Sequence, residues 1–283
     1  MIKNEDYKII KQIGEGSFGI IYMVKDKEGK KYAMKKIYIN KFDDIKAISG
    51  EYEMLSSLSK YNLNLINIYG MEIKKLDCTT HALYILMELA KGDWDVEIEK
   101  RAKNKNYYSE QELRKIIREL VFTFSELQSH NISHRDIKPQ NILLFEDNSF
   151  KIADFGEAKE VLKKNQKETF RQTIRGTELY MSPILFKALN SKKAYMIFAK
   201  HNSYKSDVFS LGYCFLLAAT LSYECLCDIR EIEDMNKIKS IISDKYIKKR
   251  YSKDILDLLF IMLEVNEKAR PDFKELVKIT ENL

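Results

Sequence analysis

The sequence predicts a two-lobed α+β fold: a small antiparallel β-sheet lobe with one main helix over residues 1–89, then a larger, mainly helical lobe over 90–283. Three observations carry this expectation. Short β-prone runs separated by Gly-bearing turns open the chain, a single segment of helical periodicity interrupts them, and helical periodicity dominates the remainder.

Taken in order, Tyr7 to Ile13, Ile20 to Val24 and Lys31 to Ile37 read as consecutive antiparallel strands, with Glu28-Gly29 as a turn. From Asp43 to Ser59 the apolar residues Ile48, Tyr52, Leu55 and Leu58 recur at helical spacing, and an acidic first turn suits the helix dipole. Glu51 stands three residues after Ile48 and four before Leu55, so it shares their inward face, whereas Glu53 does not. Leu83 to Leu86 is an apolar strand. Ser109-Glu110-Gln111-Glu112 forms a capping box ahead of Leu113, Ile116, Ile117, Leu120, Val121, Phe124 and Leu127, an amphipathic core helix. Further helices are expected over Val208 to Tyr223, Asp254 to Leu263 and Asp272 to Thr280, the last with Pro271 near its first turn. The polar runs Lys91 to Tyr108 and Lys245 to Tyr251 read as solvated surface.

Composition narrows the function classes. With 45% hydrophobic and 32% charged residues, and only 10 Gly and 3 Pro among 283, the chain reads as folded throughout. A spread net charge of +6 lacks the concentrated basic stripe of a nucleic-acid binder. Cys78, Cys214, Cys225 and Cys227 have no metal-ligand spacing, and no targeting segment is read at Met1 to Tyr7, so reduced thiols and a cytoplasmic location, with the nucleus also open, are expected. Val208 to Cys227 is nearly long enough to span a bilayer, but Ser210, Tyr213, Ser222 and Glu224 favour a buried helix. His81, His130, His134 and His201 form no ligand pair or triad-like spacing.

Gly14-Glu15-Gly16-Ser17-Phe18-Gly19, followed by Ile21, is a Gly-rich loop whose bare backbone can approach phosphate closely. The same spacing occurs in dinucleotide-binding folds, but there the loop runs from a strand into a helix. Here it runs into another strand-like segment, and Lys35 in Tyr32-Ala33-Met34-Lys35 comes next, which favours a flap over nucleotide phosphates. His134-Arg135-Asp136-Ile137-Lys138-Pro139-Gln140-Asn141 places an Asp and an Asn five residues apart on one loop, able to take a hydroxyl proton and to hold a metal ion. Thirteen residues after Asn141 comes Asp154-Phe155-Gly156, whose carboxylate is the hard oxygen ligand that Mg²⁺ prefers.

On these motifs the sequence resembles the eukaryotic protein kinase family, from Tyr7 to about Ile279. The resemblance implies a bilobal protein kinase fold and transfer of the γ-phosphoryl group of ATP, with Mg²⁺, to protein hydroxyls. It assigns roles residue by residue. Gly14, Gly16, Ser17 and Gly19, flanked by Ile13 and Ile21, resemble the phosphate-covering loop. Lys35 resembles the lysine on the α/β-phosphates and Glu51 its helical partner. Ala33, Met87, Glu88, Ala90 and Leu143 would line the adenine site, with Met87 as gatekeeper and the hinge backbone as its hydrogen-bonding edge. Asp93 is the candidate ribose contact, with Asp95 its competitor. Asp136 becomes the catalytic base, Asn141 and Asp154 the metal ligands, and Lys138 the stabiliser of the transferring group. Lys138 and Thr177, in Gly176-Thr177-Glu178-Leu179-Tyr180-Met181, resemble the Ser/Thr type, so Ser or Thr hydroxyls are the implied acceptors. Asp207 to Gly212 resembles the start of the buried central helix, and Ile68, Leu55, His134 and Phe155 an apolar column.

The sequence also departs from the family. Ser182-Pro183-Ile184 stands where Ala-Pro-Glu is usual, so Arg270 lacks its usual carboxylate and is expected to find another acceptor or become exposed. An insert from Asn190 to Tyr204 is expected as a solvent-exposed loop or a docking surface. Gln140 stands where many basophilic kinases have Glu. Arg135 before the base implies control by an upstream kinase through phosphorylation of Thr169 or Thr173, with Arg135 and Lys159 as partners. A nucleotide-binding pseudokinase acting as a scaffold is the alternative, motivated by Ile184 and the insert.

Overall fold

The computed structural model describes residues 2–16, 19–39, 54, 58, 63–77, 80–161, 170–173, 175–191, 198–281 and 283; Ser17, Glu51, Leu55, Cys78 and Thr169 lie outside them. In chain order the strands are β1 (Lys8–Gly16), β2 (Gly19–Lys25), β3 (Lys31–Ile39), β4 (Ile68–Lys75), β5 (His81–Met87), β6 (Gly92–Asp93), β7 (Ile132–Ser133), β8 (Ile142–Leu144), β9 (Phe150–Ile152), β10 (Lys159–Glu160), β11 (Phe170–Thr173) and β12 (Phe198–His201). The chain forms two compact units, one of Met1–Gly92 with Leu143–Gly156, the other of Asp93–Ile142 with Glu157–Leu283. Where the sequence suggests a single break after residue 89, the structure returns Leu143–Gly156 to the first unit. Backbone bonding explains this: Ile66 N–H donates to Ile152 O and Ile152 N–H to Asn64 O, both at 2.9 Å, and Lys91 N–H donates to Leu144 O, also at 2.9 Å.

The first unit is built on an antiparallel sheet of order β1-β2-β3-β5-β4. Because side chains alternate along a strand, Val24, Met34, Ala82, Tyr84 and Leu86 pack on one face and Ile37, Ile39, Leu83 and Ile85 on the other. Lys35 shares the second face. The tight β1–β2 turn depends on Gly19, which has φ 134° and whose added Cβ would lie 2.3 Å from Lys36 O. Of the helix expected over 43–59, only Met54 and Leu58 are described, and both are helical.

The second unit is organised by the helix Ser203–Thr220, in which every residue except Lys205 is buried. A helix that is apolar all round belongs in a core, which accounts for the long apolar run in the sequence. No helix among the described residues is long and apolar enough to cross a membrane. The helix Glu110–Ser129 starts at the expected capping box: Glu112 N–H donates to Ser109 Oγ at 3.2 Å and Ser109 N–H to Glu112 Oε2 at 2.7 Å. Its Phe124 stacks on Phe273, with centroids 5.2 Å apart, which joins it to the helix Phe273–Thr280. That last helix begins one residue later than expected, because Asp272 serves as its cap by accepting from Glu275 N–H at 3.0 Å.

Three surface expectations change. The run Lys91–Tyr108 contains the helix Trp94–Lys103, which buries Trp94 and Ile98, and Trp94 Nε1 donates to the buried Tyr108 hydroxyl at 3.0 Å. In 245–251, Ile247 and Tyr251 are buried, and Tyr251 Oη donates to Tyr108 O at 2.8 Å. The insert is not simply an exposed loop. Its Phe198–His201 forms β12, antiparallel to β11 in the register Phe170↔His201 to Thr173↔Phe198, and Ala199, His201, Asn202, Ser203 and Tyr204 are buried. Two strand partners satisfy each other's backbone groups, so the polar composition of the insert does not expose it.

Candidate active site

In the first unit, strand register gathers the predicted nucleotide residues on one face. Ile21 pairs with Lys35, Lys35 with Ile85, and Ala33 with Met87, so Ile21, Ala33, Lys35 and Met87 point to the same side of the sheet. Gly14 lies opposite Ile21, and Gly16 opposite Gly19. Ile13 falls at the irregularity between Gln12 and Gly14 and is 42% exposed. Lys35 Nζ donates to Asp154 Oδ1 at 3.0 Å. Asp154 has φ 62°, a left-handed backbone that aims its carboxylate out of the chain's extended path. The Lys35–Glu51 pair falls outside the described residues, as does Ser17.

The hinge segment divides its groups between structure and availability. Glu88 N–H donates to Asn67 O at 3.0 Å, and its carboxylate accepts from Asn67 N–H at 2.7 Å and Lys151 Nζ at 2.8 Å. The Glu88 side chain is therefore committed to the fold. Ala90 N–H and C=O have no hydrogen-bond partner among the described residues, which leaves that backbone edge open. Leu143 is half-buried on β8.

In the second unit, four functional side chains converge. Asp136 Oδ1 accepts from Thr177 N–H at 2.8 Å and Thr177 Oγ1 at 2.9 Å, while Oδ2 accepts from Lys138 Nζ at 2.8 Å and Asn141 Nδ2 at 3.1 Å. Lys138 Nζ also donates to Thr177 Oγ1 at 2.8 Å, so the hydroxyl relays between ammonium and carboxylate. Burial pushes the Asp136 carboxyl up, but the Lys138 charge and hydrogen bond and the Thr177 donors outweigh it and hold it below the ordinary carboxylate range. Asn141 Nδ2 also donates to Asp136 O at 2.8 Å; this orients the amide and leaves Asn141 Oδ1 without a partner among the described residues.

This loop is held from beneath by Asp207, whose role the motif alone did not reveal. Its Oδ2 accepts from Ser133 Oγ at 2.7 Å and His134 N–H at 2.8 Å, and its Oδ1 from Arg135 N–H at 2.9 Å. Burial raises the Asp207 carboxyl above its usual range despite these donors. Arg135 sits at φ 69°, and Gly176, at φ 106°, approaches so closely that a Cβ there would lie 2.6 Å from Arg135 O. Only glycine lets the segment bearing Thr177 reach Asp136.

Asp93 and Asp95 separate. Asp93 caps the helix Trp94–Lys103 by accepting from Val96 N–H at 2.9 Å, and burial pushes its carboxyl up. Asp95 accepts from Gln140 Nε2 at 2.7 Å and from the Tyr223 hydroxyl, which ties it to the loop that carries Asp136 and Asn141. Arg270 meets the first branch of its expectation. It is wholly buried and donates to Glu264 O through Nε at 2.8 Å and Nη2 at 2.6 Å, and to Lys205 O at 2.8 Å. Its guanidinium lies 4.9 Å from the Phe209 ring centre, and burial lowers its pKa to about 10.

The antiparallel-sheet unit and the helical unit that carries the Asp136–Lys138–Thr177–Asn141 cluster are those of a protein kinase domain. The protein kinase domain model matches residues 7–280, and the chain belongs to this family. It is 32% identical to the serine/threonine-protein kinase Nek6 of Oryza sativa subsp. japonica, over 97% of this chain and 47% of that protein. A probable serine/threonine-protein kinase nek2 of Dictyostelium discoideum is also 32% identical, over 96% of this chain and 62% of that protein. Calcium-dependent protein kinase 6 of Plasmodium berghei is 30% identical, over 92% of this chain and 16% of that protein. The chain thus spans less than two thirds of the length of these relatives. Their names are those of kinases, and the scaffold alternative finds no support among them.

Proposed function

We propose that the chain transfers the γ-phosphoryl group of ATP to Ser or Thr hydroxyls of protein substrates. The observation that carries this reading is the Asp136–Lys138–Thr177–Asn141 cluster. Asp136, held anionic by its donors, accepts the substrate hydroxyl proton as the new O–P bond forms and the bond to the β-phosphate oxygen breaks, releasing ADP. Lys138, bonded to both Asp136 and Thr177, supplies positive charge where the transferring group carries negative charge. Gly14, Gly16 and Gly19 cover the phosphates, Lys35 binds them, and the free Ala90 backbone edge receives adenine between Ile13, Ile21, Ala33, Met87 and Leu143. Asp93 faces the ribose with the oxygen that its cap bond leaves free.

Asn141 and Asp154, each considered within its own unit, are the proposed ligands, because each offers the oxygen type that a hard divalent cation takes. Asn141 Oδ1 and the second Asp154 carboxylate oxygen are uncommitted among the described residues, as Mg²⁺ requires of oxygen ligands. When bound, the ion neutralises phosphate charge. Phosphorylation of Thr169 or Thr173 by an upstream kinase, read by Arg135 and Lys159, is the proposed regulation, and reduced buried thiols at Cys214 and Cys225 suit a cytoplasmic setting.

Transfer of labelled phosphate from ATP with Mg²⁺ to a mixed protein substrate, with phosphoamino-acid analysis of the product, tests the reading. Label on Ser or Thr in the wild type and none with Asp136→Asn is expected. Nucleotide binding without transfer by wild type treated with an activating kinase would overturn it.

A further inference from the structure

The segment Gly176–Met181 must keep Thr177 on Asp136, yet Arg270, the fully buried arginine of this unit, makes no bond to it; its donors serve Glu264, Val265 and Lys205 carbonyls. Instead the segment's carbonyls are gripped from elsewhere. Arg230, the residue immediately after the helix Tyr223–Ile229, donates through Nη1 to Met181 O at 2.5 Å and through Nη2 to Glu178 O at 2.8 Å. Between them, Ser210 Oγ donates to Tyr180 O at 2.7 Å. The guanidinium plane is fixed by two rings, lying 4.0 Å from the Phe186 centre and 5.8 Å from that of Tyr213. Phe186 in turn packs against the Met181, Leu185 and Ala199 cluster, so the insert strand β12 supports the same contact. A planar fork bonding two carbonyls on either side of a short turn restrains both position and direction, which a lysine's single ammonium does not.

We propose that Arg230 is the positioning residue that holds Gly176–Met181 against Asp136, and that it acts on phosphate acceptance through Thr177 without touching substrate. The kinetic side of this proposal rests on the phosphoryl-transfer reading above. If it is correct, loss of the fork displaces the acceptor side of the reaction and leaves ATP binding intact. Misplacements of about 1 Å cost on the order of a hundredfold.

Amide hydrogen exchange and steady-state kinetics of wild type, Arg230→Met and Arg230→Lys test this together. In Arg230→Met, exchange should accelerate at Tyr180 and Met181 while the helix Glu110–Ser129 keeps its protection. kcat/KM for a Ser/Thr peptide should fall roughly ten- to a hundredfold with KM for ATP unchanged within about twofold. Arg230→Lys should recover part of both. Exchange is read without turnover, so a wild type that transfers no phosphate defeats the catalytic reading while the exchange result still judges the clamp. Unchanged exchange, unchanged peptide kinetics in an active enzyme, or protection lost evenly across the helical unit would each overturn the proposal.

Discussion

Two carboxylates, Asp136 in the larger unit and Asp154 in the smaller, are placed by different means. Asp136 is crowded: Thr177, Lys138 and Asn141 donate to it, and the backbone around it is pinned by Asp207 and by the close approach of Gly176. Asp154 takes a single bond among the described residues, from a lysine whose own place is set by strand register. Crowding fixes an ionisation state and an orientation together. Register fixes the face that Lys35 occupies, and its one bond to Asp154 leaves the second carboxylate oxygen uncommitted among the described residues.

The comparison can be broken first at the crowded end. Asp136→Asn should lower kcat for phosphate transfer by about 10²–10⁴-fold with nucleotide affinity retained. Lys35→Met should lower kcat/KM for ATP less, by roughly 10²–10³-fold. If the two substitutions have equal effects on kcat while both spare ATP binding, the division of labour between the carboxylate sites fails.

The pinning beneath Asp136 can be probed without chemistry. Asp207→Ala leaves three donors facing a vacated buried position, and should cost about 3 kcal/mol, read as a shift in the urea unfolding midpoint of the helical unit. A comparable loss is expected from acidification at His201, whose Nδ1 lies 2.9 Å from Ser206 Oγ. Burial, with Arg135 nearby, pushes its pKa down to about 4. The unfolded imidazole takes its proton near 6.5. Stability from the neutral form is therefore complete above about pH 6.5 and is lost as pH falls toward 4, by about 3 kcal/mol at most. His201→Gln should flatten that part of the curve in thermal melts across pH. The smallest effect is expected at a helix start: Ser109→Ala should cost about 1 kcal/mol and leave kinetics unchanged.

Much of this was legible in the residues themselves, for local reasons. The capping box at Ser109, the buried periodicity of the helix it opens, and the strand-to-strand passage of the Gly-rich loop depend on neighbours within a few positions. So does the five-residue spacing that lets Asn141 bond Asp136. What the sequence hid depends on distant pairing. Asp207 reaches residues more than seventy positions away, and Asp95 reaches Gln140 and Tyr223. The insert's polar composition concealed a strand partner for β11. Arg230 gave no sequence sign at all, because its acceptors are carbonyls, which every residue carries. Gly19 shows the reverse case: its motif position suggests phosphate contact, yet the backbone of Lys36 alone already demands glycine.

Main-chain acceptors have one more consequence, at Arg270. A buried cation usually constrains the identity of the residue that neutralises it, so the two positions must change together. Here the guanidinium's hydrogen bonds go to peptide carbonyls at Glu264, Val265 and Lys205, and the charges that favour it come from the Glu267 and Glu264 carboxylates, none of them at residue 184. Residue 184 is thereby uncoupled from residue 270. Exchange of Ile184 for another apolar side chain of similar volume alters only local packing against Met181, Leu185 and Ala199, and the arginine keeps its full set of partners whatever stands there.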